Sequence, residues 1–157
     1  MVPRKVKIKN ELLTEAVNNV AKENTPENQK EMIKYLAGSG MLLPVKIMPA
    51  AKKDANGYYR FSPKHKVAYA TITKAAFENV PEASYYIAFT DSDEMKAWAA
   101  GKPVDSFVAH LDDYAVMLLK PEAKMKGFII NPAGANLVIS TAAVREIIKE
   151  RDAQAEE

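Results

Sequence analysis

A chain of 157 residues with 48% hydrophobic and 27% charged residues has the size and composition of one globular domain, able to bury about two-thirds of its unfolded surface without a disulfide or metal staple. The absence of cysteine excludes disulfides, thiolate nucleophiles, iron–sulfur clusters and cysteine-type zinc sites, and is compatible with a reducing compartment. The net formal charge of +2 is too small to announce a polyanion partner, but residues 1–76 carry 14 Lys and Arg against 6 Asp and Glu, and residues 77–157 carry 8 against 14; if these halves segregate in space, the field would steer an anionic ligand or favour head-to-tail self-association.

Residues 1–9 are basic and lack the apolar stretch of a signal peptide, and no run approaches the ~20 apolar residues of a membrane span. A cytoplasmic protein without membrane attachment is expected, built as one domain over residues 10–151 with an acidic, frayed tail at 152–157. Leu12, Leu13, Ala16, Val17 and Val20 recur at helical spacing behind Asn10, a capping residue type, and predict a first helix to about Lys22. Thr25-Pro26 starts a second, whose buried stripe is Met32, Ile33 and Leu36, and Gly38 and Gly40 can end it.

Leu42 to Met48 reads as a strand, but Pro44 cannot donate to a ladder, so an edge or a strand start is expected. Residues 49–66, rich in Lys, Pro, Asn and Gly with an Asn56-Gly57 turn pair, read as an excursion or long hairpin. Val67–Thr73 and Tyr85–Thr90 are apolar on both alternating faces and are expected to be central strands covered on two sides, with Pro81 in the loop between them. Asp91 then caps a helix with Glu94 at the reciprocal capping-box position, and Met95, Trp98 and Ala99 facing inward before Gly101. A strand at Ser106–His110, a helix at Leu111–Leu119 stopped by Pro121 and a strand at Gly127–Asn131 continue an alternation that implies some parallel pairing. Residues 131–136 are the clearest turn, followed by Leu137–Ile139 and a last helix capped by Ser140 that buries Val144, Ile147 and Ile148.

Three segments make this order resemble the N-terminal domain of the SseB family: Leu43-Pro44-Val45, Ala88-Phe89-Thr90-Asp91-Ser92 running through Glu94 to Trp98, and Gly127-Phe128-Ile129-Ile130-Asn131-Pro132-Ala133-Gly134. The resemblance covers roughly residues 10–150. It implies a small α+β fold, a mixed sheet flanked by helices, found in bacterial cytosolic proteins and associated by name with serine sensitivity but with no established activity. It also implies that this chain lacks the additional C-terminal domain of some relatives.

Residue chemistry favours no enzyme class. Acyl transfer would have to draw its base from His65 or His110, and Gly38-Ser39-Gly40 is not a nucleophile elbow but reads as a helix terminus; His110 reads as packing or capping. The acidic sets Asp91, Asp93, Glu94 and Asp112, Asp113 sit at helix starts, where capping and the macrodipole already account for them, and the calcium-loop spacing is absent. Neither the dinucleotide fingerprint nor the P-loop occurs, so no cofactor and no metal is expected.

The sequence is therefore read as a non-enzymatic binding or adaptor module for an unknown protein or polar small molecule. Because open sheets with parallel strands place ligands beyond the strands' carboxyl ends, its candidate contact residues are Thr90, Asp91, Ser92, Asn131, Gly134 and Asn136. One alternative is a small enzyme or sensor acting on a polar metabolite. The other is weak nucleic-acid binding through the segment Lys46–Lys74, with Lys52, Lys53, Tyr58, Tyr59, Arg60 and Lys64 mixing cations and aromatic rings.

Overall fold

The computed structural model describes residues 10–48, 54–56, 58 and 63–155. Helices α1 (Glu11–Lys22) and α2 (Pro26–Leu36) lead into strands β1 (Met41–Met48), β2 (Lys66–Tyr69), β3 (Thr71–Lys74) and β4 (Ala83–Ala88). Then come α3 (Ser92–Ala99), β5 (Asp105–Ala109), α4 (Leu111–Leu118), β6 (Gly127–Ile130), β7 (Leu137–Ser140) and α5 (Thr141–Ala155). This is the expected α+β class, and its boundaries follow local chemistry. Thr25 Oγ accepts the Asn28 N–H at 3.2 Å ahead of Pro26, and Ser140 Oγ accepts the Ala143 N–H at 3.1 Å; each side chain satisfies an amide that the helix start leaves free. Helix α5 continues to Ala155, through much of the acidic run.

The strands form two sheets. One is antiparallel in the order β2-β1-β5; the other is mixed, β3-β4-β6-β7, with β4 and β6 parallel. The implied parallel pairing is thus present, while two strand assignments change. First, β1 is central, not an edge. Pro44 survives there because its backbone faces the place where β2 leaves: its C=O accepts the Ala70 N–H at 3.0 Å, and no ladder donor is required of it. Second, Val67–Thr73 is not one central strand. It runs along β1 as β2, bends at Ala70, and continues along β4 as β3, forming an edge of each sheet with mostly exposed side chains. Two apolar faces in sequence here reflect a strand that changes sheets. The same junction is held on the other side of the bend by Leu42 and Phe89, which exchange backbone hydrogen bonds of 2.9 Å in both directions.

Alternation along the strands divides the apolar residues between two unequal clusters. Tyr86, Ala88, Phe128 and Ile130 face a large core closed by α1, α2, α4 and α5, with Leu13, Val17, Leu36, Leu111, Leu118 and Val144 almost fully buried. Tyr114 is completely buried at its centre; its ring stacks on Phe128 at 4.6 Å, and its hydroxyl donates to the Ile87 C=O at 2.7 Å. Burial and the nearby Asp113 push its phenol well above the ordinary range, so it is a permanent donor. The opposite face carries a smaller cluster of Leu42, Ile87, Phe89 and Val108, with the buried Ile129 paired beside Ile87, and α3 packs on that cluster through Met95 and Trp98.

The inward stripe expected of α3 is accordingly lighter than its sequence suggests. Met95, Trp98 and Ala99 are half-buried, and no residue of the helix is fully buried. Trp98 leans on Phe89 with ring centroids 5.6 Å apart. A helix of two turns cannot cover a whole sheet face.

Candidate recognition site

Parallel pairing of β4 with β6, in the register Ile87 with Ile129 and Ala88 with Ile130, brings the segments after both strands to one edge. Thr90 and Asn131 meet there and are fully buried. Asn131 Oδ1 accepts the Thr90 N–H and its Nδ2 donates to Thr90 Oγ, both at 3.0 Å. Thr14 of α1 donates its hydroxyl to the same Thr90 Oγ at 2.7 Å. Asn10 occupies the start of α1, but its side chain does not cap that helix; its Nδ2 instead bridges the C=O groups of Gly40 and Thr90, at 2.7 and 2.8 Å. These bonds satisfy polar groups that would be costly to bury alone.

Thr90 and Asn131, two of the six candidate contact residues, are thus interior anchors. The side chains that reach the surface are those flanking them. Asp91 is half-buried and caps α3, its Oδ1 accepting the Glu94 N–H at 2.9 Å, and Ser92 is half-buried at the first helical position. In the turn, the Asn131 C=O accepts the N–H groups of Gly134 and Asn136 at 2.9 and 2.8 Å. Asn131 and Asn136 both hold positive φ, 52° and 51°, which asparagine tolerates better than most residues. Gly134 and Asn136 are exposed.

One contact joins the two segments. The Glu94 carboxylate lies against Gly134, so close that a Cβ at that glycine would stand 2.6 Å from Oε1. Glu94 therefore does not return to the Asp91 backbone as a reciprocal capping box would have it. Burial, and secondarily Asp91, raises its pKa from the ordinary carboxylate value. Sequence spacing gave Glu94 a local role; only the sheet topology could reveal its neighbour 40 residues on.

Of the remaining candidates, Gly40 meets this edge through the carbonyl that shares Asn10 with Thr90. Gly40 abuts Val108 and His110, where a Cβ would stand 2.8 Å from the valine, so the Gly38-Ser39-Gly40 run closes a packed strand entry. His110 precedes α4 as its N-cap residue, and its backbone N–H donates to Asp113 Oδ2 at 2.8 Å. Asp112 pairs with Arg151 of α5 at 2.7 Å. Among the described residues no three His, Asp or Glu side chains are grouped to hold a metal ion, and no helix is long and apolar enough to cross a membrane.

In the basic segment, Tyr58 and Lys64 are exposed, while Lys52, Lys53, Tyr59 and Arg60 lie outside the described residues. Asp54 organises its tip, accepting the N–H groups of Asn56 and Tyr58 at 2.8 and 3.1 Å. Gly57 of the expected turn pair lies outside the described residues.

An α+β module with a two-sheet layer, four helices on one face and its loop chemistry gathered at the end of two parallel strands is the class that this geometry defines. The family model described as the SseB protein N-terminal domain matches residues 13–146, from α1 into α5. The chain belongs to that family. No curated protein and no solved structure matches it.

Proposed function

We propose that this SseB-type domain is a non-enzymatic binding module that receives a protein or polar small molecule at the carboxyl edge of β4 and β6. The observation that carries this reading is the contact of Glu94 with Gly134, which makes the start of α3 and the Asn131–Asn136 turn one continuous surface. Beneath it Thr90 and Asn131 form a rigid floor. Asp91, Ser92, Gly134 and Asn136 supply the contacts. With Asp93 and Glu94 alongside, the surface suits hydrogen-bond donors and cationic groups. A cysteine-free chain suits a reducing cytosol, and we place the module there.

Affinity capture from the native cytosol, read by mass spectrometry, tests the assignment. Gly134→Ala should displace the flexible Glu94 carboxylate without disturbing the floor, and Ser92→Arg should block the helix start. Both variants should lose a partner that the wild type retains, with melting temperatures nearly unchanged. Retention of the same partner by both would remove the site. Turnover of a copurifying metabolite would instead favour a small enzyme.

A further inference from the structure

A second surface runs along the outer edge of the sheet, from Leu137 just after the Asn131–Asn136 turn, and its reading does not depend on the carboxyl-edge site. Between α1, α2 and α5 runs an open groove of about 380 Å³, floored by β7 and walled by Val20, Met32, Ile33 and Ile147. Ligand sites begin at roughly 300 Å³, so the space is meaningful. Its charged lining residues, among those described, are Glu146 and Glu150, four apart on α5 and therefore neighbours on one helical face.

The floor is a strand edge. β7 ends the strand order of its sheet, with β6 on its inner side. Asn131 sends its N–H to the Ala88 C=O of the β4 side at 2.9 Å, which fixes the phase of β6: Ile129 faces β4, and Phe128 and Ile130 face β7. Their partners are Ile139 and Leu137. The N–H and C=O of Val138 therefore point away from β6, and Val138 lines the groove.

We propose that this edge takes up an extended segment of a partner protein whose groove-facing residues, every second one along the strand, are apolar except for a lysine or arginine. Backbone pairing at the Val138 N–H and C=O would join the segment to the sheet, as in other cases of strand addition. The period of two sends every second side chain into the groove, where apolar ones pack against its walls and a basic one meets Glu146 and Glu150, while the others point to the opposite face of the sheet. β7 is only four residues long, so main-chain pairing alone would be weak. The charges and the groove supply selectivity.

The test uses the full chain and the fluorescein-labelled heptapeptide Thr-Val-Thr-Lys-Thr-Val-Thr, whose valines and lysine share one strand face, followed by fluorescence anisotropy. Saturable binding is expected, weakening with salt. The double variant Glu146→Lys, Glu150→Lys, whose sites are exposed, should bind at least about tenfold more weakly, and so should a peptide with glutamate in place of lysine. Val138→Pro, which removes only an outward-facing N–H, and a peptide N-methylated on its pairing edge should each lose binding. Equal binding of the glutamate peptide, or undiminished binding by the charge-reversed variant, would overturn the proposal. So would sedimentation showing that the edge is closed by a second copy of the chain that the peptide cannot displace.

Discussion

The two faces of the β-layer are built from the same kind of strand but to very different depths. On one, four helices enclose a core in which Tyr114, Phe128, Leu13, Leu36, Leu111 and Leu118 have almost no exposure; on the other, α3 packs on a small cluster with half-exposed Met95 and Trp98. Each fully buried large apolar side chain contributes about 1.5–3 kcal/mol by transfer from water, so the first face dominates stability. The second face carries the helix whose start forms half of the proposed recognition surface. Regions that engage partners are commonly drawn from the less stable parts of a fold, and here the arrangement has a simple cause: a helix of eight residues has too little surface to seal a sheet.

Substitutions on the two faces should differ in cost. Tyr114→Ala should be the most damaging, costing about 3–5 kcal/mol as a large core aromatic is deleted; the milder Tyr114→Phe should still cost about 1–3 kcal/mol by leaving the Ile87 C=O unpaired. Urea denaturation measures both, and an unshifted midpoint for the alanine variant would remove Tyr114 from the core. Asn131→Ala should follow at about 2–3 kcal/mol, because it orphans the buried Thr90 N–H and places alanine at positive φ. Asn131→Gly keeps the backbone freedom and should cost less, so the difference between the two isolates the strain.

Trp98→Ala, on the lighter face, should cost only about 1–2 kcal/mol, in keeping with partial burial. Its fluorescence should fall between buried and fully exposed emission. A loss as large as that of Tyr114→Ala would mean that the two faces are equal after all.

The smallest effect belongs to Glu94. Its folded pKa is raised, chiefly by burial, so the fold favours the protonated acid, and that contribution is present at low pH and lost as pH rises through the raised pKa. Glu94→Gln should therefore be slightly more stable than wild type at neutral pH, by less than about 0.5 kcal/mol because solvent screens the site. The advantage should vanish as pH falls through the ordinary carboxylate range. Melting curves at several pH values would show it, and a variant less stable at neutral pH would contradict the burial argument.

Much of the fold was legible where local signals and tertiary packing agree. The Thr25-Pro26 start, the Asp91 cap, the Ser140 cap and the apolar period of α5 all lie where the sequence puts them, as does that of α1 except for Leu12, which is exposed. The misreadings share a physical cause. Alternation reports that both faces of a strand meet apolar surroundings, but not that the strand changes sheets, and Val67–Thr73 did so at Ala70. Pro44 argues against a central strand only if its missing N–H faces a partner; in β1 it faces a departing one.

At the site, the adjacency of Thr90 and Asn131 was legible from the alternation of strand and helix, which implied parallel pairing. Their burial was not, because polar residues after a strand look exposed until a second polar group closes on them. Glu94 over Gly134 and the β7 groove arise from contacts remote in sequence, which no local pattern carries.

Amide hydrogen exchange on the native chain measures the contrast between the faces most directly. Amides of β4, β6 and α4 should exchange only through global unfolding, while those of α3 exchange through a local opening of clearly lower free energy, so that α3 moves on a fixed floor. Protection of α3 equal to that of β6 would contradict the account, because it would show one cooperative unit where the packing describes a heavy core and a lightly anchored cover.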